Sequence, residues 1–371
     1  SVLMVGMNDV NRDLYAKERQ TELGIKEQQE EALAKYFTNV DSIVRLLIKA
    51  GSKVILQTPS IYDQTAEIAT PNFFGVNDAL GRCAEFVKTL SVKYKLPVVD
   101  YWTIMNTVNT AVQKADPTAT IIGSDRVHPD VDGHFLMTGE FLKIQHVPGY
   151  VSYLCIDARK HKIVKARQCD ITKASYDNST ISFTCHETSL PYPLLSKSFN
   201  PDSLFSFNDE FNREILKITS LKRGDYLLTI DSLIAGTYSE EDFNKGINLA
   251  GNVLTPQYRQ SEKVLELLSH YWELERKLRQ IKYVEYQLLD GEIKEFQHID
   301  DSSSNRFEKK LESFNDQPRD NIDFYKRNFD EYIINKPIEE ELKVKADESF
   351  KEIHAHNKSL KHNYQLMQSD R

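Results

Sequence analysis

An imidazole can serve as a general base when one ring nitrogen is held and the other is left free. The run Ser124-Asp125-Arg126-Val127-His128-Pro129 supplies the parts for that arrangement. Asp125 stands three residues before His128, close enough for its carboxylate to accept the Nδ1 proton and leave Nε2 aimed at a nucleophile. Pro129 biases His128 toward extended backbone, so the ring is expected on a loop, where catalytic groups often lie. The same Asp-x-x-His spacing also occurs in ordinary turns with a satisfied side chain, so this stretch alone does not decide the chemistry. A second stretch adds to it. The chain opens on an apolar run, Ser1 to Val5, that stops at Gly6-x-Asn8-Asp9. This reads as a buried parallel strand delivering polar residues at its carboxyl end, the end where open α/β sheets bind ligands. An asparagine there can donate its side-chain amide to a developing oxyanion. The plainer alternative is an Asx turn that starts the next helix.

Taken in order, the two stretches resemble the motif blocks of the SGNH (GDSL-type) hydrolases. Gly6, Asn8 and Asp9 match that family's Gly-x-Asn-Asp block, and Asp125, His128 and Pro129 match its Asp-x-x-His-Pro block. The continuation Gly133-His134-Phe-Leu-Met137 is similar to the helix start that often follows the histidine. The resemblance covers roughly residues 1 to 145. It implies a three-layer α/β/α, flavodoxin-like sheet and a serine esterase mechanism, with His128 as base, Asp125 as its orienting acid and Asn8 as an oxyanion donor. The family's Gly-Asp-Ser nucleophile block, and the glycine block that joins its oxyanion hole, have no counterpart before Asn8. Ser1 precedes the apolar strand instead of following one. The expectation is therefore a sheet lacking its N-terminal strands, with the nucleophile on a segment absent from these 371 residues. Tyr226-Leu-Leu-Thr-Ile-Asp231-Ser232-Leu233 is a decoy for that block. A nucleophile elbow requires strand, turn and helix, whereas the residues after Ser232 read as the second arm of a hairpin.

The elements that must position these residues follow a strand–helix alternation. Residues 11 to 28 are polar and read as a loop over the site. Gln29 to Ala50 has apolar residues at Leu33, Tyr36, Phe37, Val40, Ile43, Val44 and Leu47, one helical face closed by Gly51. Lys53 to Gln57 reads as a buried strand. The loop after it carries Tyr62, Asp63, Phe73 and Phe74, candidates to shape a substrate pocket or simply to pack. Asn77 to Tyr94 is a predicted helix, Leu96 to Asp100 a strand, the stretch from Asp100 through Val112 a helix, and Gly133 to Leu142 a covering helix. Such alternation implies a parallel sheet with helices on both faces. Both motifs then fall on one edge of it.

Three segments are expected: 1–147 as the α/β domain, 148–254 as a β-rich accessory region, and 255–371 as a long helix with a charged helical tail. Val147-Pro-Gly149 marks the change to β pattern. Hairpins are expected around Asp157 to His161 and around Lys222 to Asp225. Large members of the resembled family from gut and environmental bacteria carry such a piece. This likeness points toward carbohydrate-associated esterases more than lipases. Thr255-Pro256 starts a helix to about Leu289. Its stripe of Val264, Leu267, Tyr271, Leu274, Leu278, Ile281 and Leu288, interrupted at Glu285, fits either packing along the body or a homodimer seam. The charged remainder holds His354, His356 and His362, read as a solvated tail or surface helix in preference to a metal site.

With 371 residues and a formal net charge of −8, the interspersed charges argue against a general nucleic-acid binder. No apolar run reaches the length of a membrane span. Cys83, Cys155, Cys169 and Cys185 form no Cys-x-x-Cys pair; they are read as buried thiols, with one disulfide possible among the last three. No cofactor or metal is expected. The functional expectation is hydrolysis of a small-molecule or oligosaccharide ester, O-acetyl carbohydrates first, in a periplasmic or secreted setting. The alternative is an inactive carbohydrate-binding or structural relative.

Overall fold

The computed structural model describes residues 1–177, 180–193, 207–289, 309, 312 and 319–369. The chain packs as two units, Ser1–Gly149 with Leu194–Phe211, and Tyr150–Pro193 with Asn212–Arg371.

In the first unit three short strands form a parallel sheet in the order β1 (Val2–Leu3), β2 (Ile55–Gln57), β3 (Val98–Val99). Helix α1 (Ile25–Lys49) buries Ile25, Gln29, Leu33, Tyr36, Val40 and Val44, spaced three or four apart and so on one face. It ends at Gly51, whose φ of +75° suits a residue without a Cβ. Helix α2 (Val76–Tyr94) buries Leu80, Cys83, Val87 and Leu90 into the same core as α1 and Leu56. Asp100 caps α3 (Tyr101–Ala115) by accepting the Thr103 N–H, and Asp130 caps α4 (Val131–Ile144) through the Asp132 and Gly133 N–H groups. These two helices, with Ile121, Ile122 and Phe207, make a second cluster, and the neighbouring strand residue Ile55 packs against it. Adjacent strand residues Ile55 and Leu56 thus point to different cores, the period-2 signature of a sheet covered on both faces. The result is the three-layer α/β/α arrangement expected. Along the described residues β1 pairs with β2 alone, leaving its other side unpaired.

The second unit holds two sheets. One runs β10–β9–β12–β7–β6, comprising Leu233–Ser239, Asp225–Ile230, Lys361–Gln368, Thr180–Glu187 and Cys169–Tyr176. The other runs β11–β8–β4–β5, comprising Ile247–Asn248, Arg213–Thr219, Tyr150–Asp157 and Lys162–Arg167. Leu154, Ile156, Leu216 and Ile218 from the second sheet share one core with Phe183, Cys185, Leu228, Ile230, Tyr364 and Leu366 from the first. Three helices, α5 (Pro256–Tyr283), α6 (Arg319–Asn335) and α7 (Glu339–His356), build a further cluster.

The stripe on α5 is occupied within the chain. Leu274, Ile281 and Leu288 pack with Phe329, Tyr332, Leu342 and Ala346. The interruption at Glu285 falls in a turn of π-helix, Val284–Leu288, where the buried carboxylate meets Lys336 at 2.5 Å and Lys282 at 2.8 Å. That face is a packed seam between helices of one chain, not one left open for a second copy. The C-terminal region differs from a solvated tail more sharply. Its last strand, β12, lies in the middle of a sheet, paired to β7 and β9, and His362 is buried. Among the described residues no helix is long and apolar enough to cross a membrane, and the four cysteines are free and buried.

Candidate active site

The Asp125–His128 segment is a closed loop. Ile122 bridges Pro129 in antiparallel fashion, the Gly123 N–H donates to the His128 carbonyl at 2.7 Å, and Val127 is buried in the α1–α2 core. Within this frame Asp125 has two tasks. Its Oδ1 accepts the backbone N–H groups of Val127 and His128 at 2.9 and 3.0 Å, and its Oδ2 lies 2.5 Å from His128 Nδ1. The loop N–H bonds fix the carboxylate, and the carboxylate fixes the ring. His128 is 81% exposed at its side chain. No described protein atom is bonded to Nε2, so that nitrogen is free to take a proton. Partial burial pushes the Asp125 carboxyl up, but the His128 ring and the His128 and Val127 N–H groups outweigh it and hold it at about 2.

Asn8 follows β1 in a turn whose backbone bonds run from Val10 N–H to the Gly6 carbonyl and from Asn11 N–H to the Asn8 carbonyl. Its side chain is exposed and takes no part in that turn, so the Asx-turn alternative does not hold and the amide remains available as a donor. Gly6 has φ +148°, and a Cβ there would sit 3.0 Å from the Cβ of Pro59. The glycine lets the end of β1 approach the end of β2.

Arg126, between the acid and the base, is the residue whose role the sequence did not disclose. Its φ is +66° and its side chain is buried. The guanidinium donates to four backbone carbonyls, those of Asp63, Ala66, Ile68 and Thr70, at 2.9 to 3.1 Å. In return the Asp63 N–H donates to the Arg126 carbonyl. The loop after β2 is thereby pinned to the histidine loop, and Gly6 touches the same loop at Pro59. Both motifs are tied to one loop at the carboxyl end of the strands. A basic residue in a turn is usually solvated, so only its burial reveals the task.

The pocket candidates on that loop divide. Tyr62 and Asp63 are buried. Asp63 accepts from the Thr65 and Ala66 N–H groups, from Gln113 and from the Thr120 hydroxyl, which makes it an internal fastening instead of a pocket wall. Phe74 is 69% exposed and Phe73 half-buried. Ser1 lies at the opposite end of β1, its ammonium donating to the Lys53 carbonyl. Ser232 occupies the tight turn between β9 and β10, where it and Asp231 have φ of +67° and +48°. That is strand, turn and strand, so no nucleophile elbow forms there. His354 and His356 end α7, and among the described residues no three His, Cys, Asp or Glu side chains gather to hold a metal.

Residues 1–141 match the family model for GDSL-like lipase/acylhydrolase. This N-terminal stretch is similar to the SGNH (GDSL-type) acylhydrolases, a class of ester hydrolases. Over its whole length the chain is similar to BT4096, a gut microbial diltiazem-metabolizing enzyme: 26% identity, 99% of this chain and 83% of that one covered, TM-score 0.80. A catalytic mutant of Axe2, an acetylxylan esterase from Geobacillus stearothermophilus, matches at 22% identity over 38% of this chain and 57% of its own, with a TM-score of 0.28. No curated protein matches the chain.

Proposed function

We propose that the protein is a serine ester hydrolase in which His128 is the general base, Asp125 holds its tautomer and Asn8 donates to the tetrahedral oxyanion. One observation carries the reading: an unbonded Nε2 on a largely exposed ring whose other nitrogen is clamped by a carboxylate that is itself clamped by two N–H groups. A ring built only to pack would not be presented to solvent in this way. In the proposed cycle the serine hydroxyl gives its proton to His128 Nε2 as oxygen attacks the ester carbonyl. The Asn8 amide stabilises the charge on the carbonyl oxygen, and the imidazolium returns the proton to the leaving alcohol. Water then repeats the sequence on the acyl-enzyme. The nucleophilic serine that this cycle needs is not supplied by the two motifs themselves.

Acetyl esters of carbohydrates are the proposed substrates. The exposed setting of His128 suits a short acyl group better than a long chain that would need an apolar tunnel. Similarity to an enzyme described as metabolizing diltiazem supports a small-molecule substrate. The test is p-nitrophenyl acetate turnover by the protein, alongside fluorophosphonate labelling. His128→Ala is expected to abolish both, with an unchanged melting temperature because the ring is exposed. Undiminished turnover by that variant would remove His128 from the mechanism. A panel of acetylated oligosaccharides against butyryl and longer esters then tests the acyl preference.

A further inference from the structure

In the second unit the β4–β5 and β8–β9 turns, with residues of β6, β7 and β12, line a cleft of about 560 Å³. That is the size of a small-ligand site. Its walls are well fastened. The β4–β5 turn is held by Asp157, whose Oδ1 accepts the Arg159 and Lys160 N–H groups, and by the Ala158 N–H donating to the Thr219 carbonyl. The β8–β9 turn is held by the Tyr226 hydroxyl, 2.8 Å from the Lys222 carbonyl. His161, with φ +51°, lays its ring flat on Tyr176 at 5.0 Å and 5°, joining a turn of one sheet to a strand of the other.

The charges on this lining are unbalanced. Arg159 and Lys222 both face the cleft, and neither has a carboxylate within 4.0 Å among the described residues. Many cations of the same unit do have one: Lys160, Lys263, Arg276, Lys282, Lys336 and Lys343 are all paired. Among the described residues Asp177 is the one carboxylate on the wall, against these two cations and His161. The same lining holds the flat His161–Tyr176 stack and hydrogen-bonding groups on Thr180, Ser220 and Gln368.

From this combination we infer that the cleft is a binding site for an acidic carbohydrate chain, one bearing uronate carboxylates. Arg159 offers a planar fork and Lys222 a point charge to the carboxylates. The aromatic stack gives the apolar face of a sugar ring a surface to lie on. Thr180, Ser220 and Gln368 are placed for ring hydroxyls. A simple phosphate would use the cations but neither the flat surface nor the volume. A neutral sugar would leave the cations unmatched. The inference concerns the second unit and does not depend on ester hydrolysis by the first.

Calorimetric titration of the whole protein with α-1,4-trigalacturonate and with the uncharged α-1,4-galactotriose tests it. The acidic trimer is expected to bind at least tenfold more tightly than the neutral one, and more weakly as salt rises. Arg159→Ala with Lys222→Ala should cost at least tenfold in affinity for the acidic trimer, with the melting temperature unchanged since both side chains are exposed. Tyr176→Ala should weaken it as well. His128→Ala should bind the trimer as the wild type does, which separates this site from the hydrolase reading. Equal affinity for the two trimers, no binding of either, displacement of the acidic trimer by equimolar inorganic phosphate, or indifference to the double substitution would each overturn it.

Discussion

The Asp125 carboxylate serves ring and backbone at once, and this makes its substitution informative. Asp125→Asn keeps the shape but offers Nδ1 either the wrong partner or the wrong tautomer. Ester turnover is expected to fall by roughly 10²- to 10⁴-fold, with KM nearly unchanged. Because the carboxyl is held at about 2, it is ionised at any pH where the enzyme is assayed, so an acid limb in the rate profile must come from another group. Its folded value lies below the ordinary 3.8, so its contribution to stability is present above pH 4 and lost only as pH falls toward 2. Arg126 makes a different case. Lysine carries the same charge but cannot reach four carbonyls with one ammonium. Arg126→Lys should leave buried acceptors unmet and lower stability by about 2–4 kcal/mol in denaturant titrations. Turnover should fall with it, because the two loops are no longer tied. Full stability in Arg126→Lys would show the four bonds to be incidental.

At the scale of elements, β12 carries the most unexpected burden. The sequence around it is rich in charge, and a tail of that composition would ordinarily be dispensable. In the fold, Tyr364 and Leu366 enter the core of the second unit from between β7 and β9. Tyr364 stacks on Phe183 at 4.9 Å, and its hydroxyl donates to Glu187 at 2.8 Å. Ending the chain at residue 360 would split a five-stranded sheet into two pieces with raw edges. Such a protein is expected to lose near-UV circular dichroism and to be cleaved rapidly by trypsin within 150–193 and 212–289. Resistance equal to that of the full chain would mean that β12 is an ornament. On the catalytic side, α4 shows a similar dependence. A Cβ on Gly133 would meet the Ile121 carbonyl oxygen at 2.3 Å, so only glycine lets α4 start directly after the histidine loop.

Across the whole molecule, the two units differ in how they respond to pH. The second encloses two carboxyls, Glu187 and Glu214, with Tyr364 and Gln257 between them: Gln257 donates to Glu214 at 2.5 Å and to the Tyr364 hydroxyl at 3.0 Å. Burial, and then the charge of Glu187, push Glu214 up to about 8, while Gln257 and Tyr364 pull the other way and the nearby Cys169 adds to the rise. Between its ordinary 4.5 and about 8 the folded protein keeps a proton that the unfolded chain has released, so stability falls as pH rises through that window. Denaturant midpoints for the second unit's transition should decline from pH 5 to pH 8, and Glu214→Gln, which cannot ionise, should flatten the decline. A wild-type profile that is level across this range would show Glu214 to be charged at neutrality after all.

The sequence alone determined the catalytic half to a useful depth. Helical faces such as Leu33, Tyr36, Val40 and Val44 repeat at 3.6-residue spacing, and the two motifs carry their own turn chemistry, so local rules suffice to place them. It also marked Ser232 as a hairpin residue, because turn and strand signals are short-range. The tertiary structure alone decided what rests on distant partners. Arg126 looks like any surface arginine until the loop some 60 residues earlier closes around it. The α5 stripe finds its cover on helices that begin after residue 318. β12 shows a legible alternation at His362, Tyr364 and Leu366, but its place between β7 and β9 joins residues 134 to 187 positions apart. No short-range rule reaches that far, since the energy that fixes such a pairing comes from a core that exists only once the chain has folded.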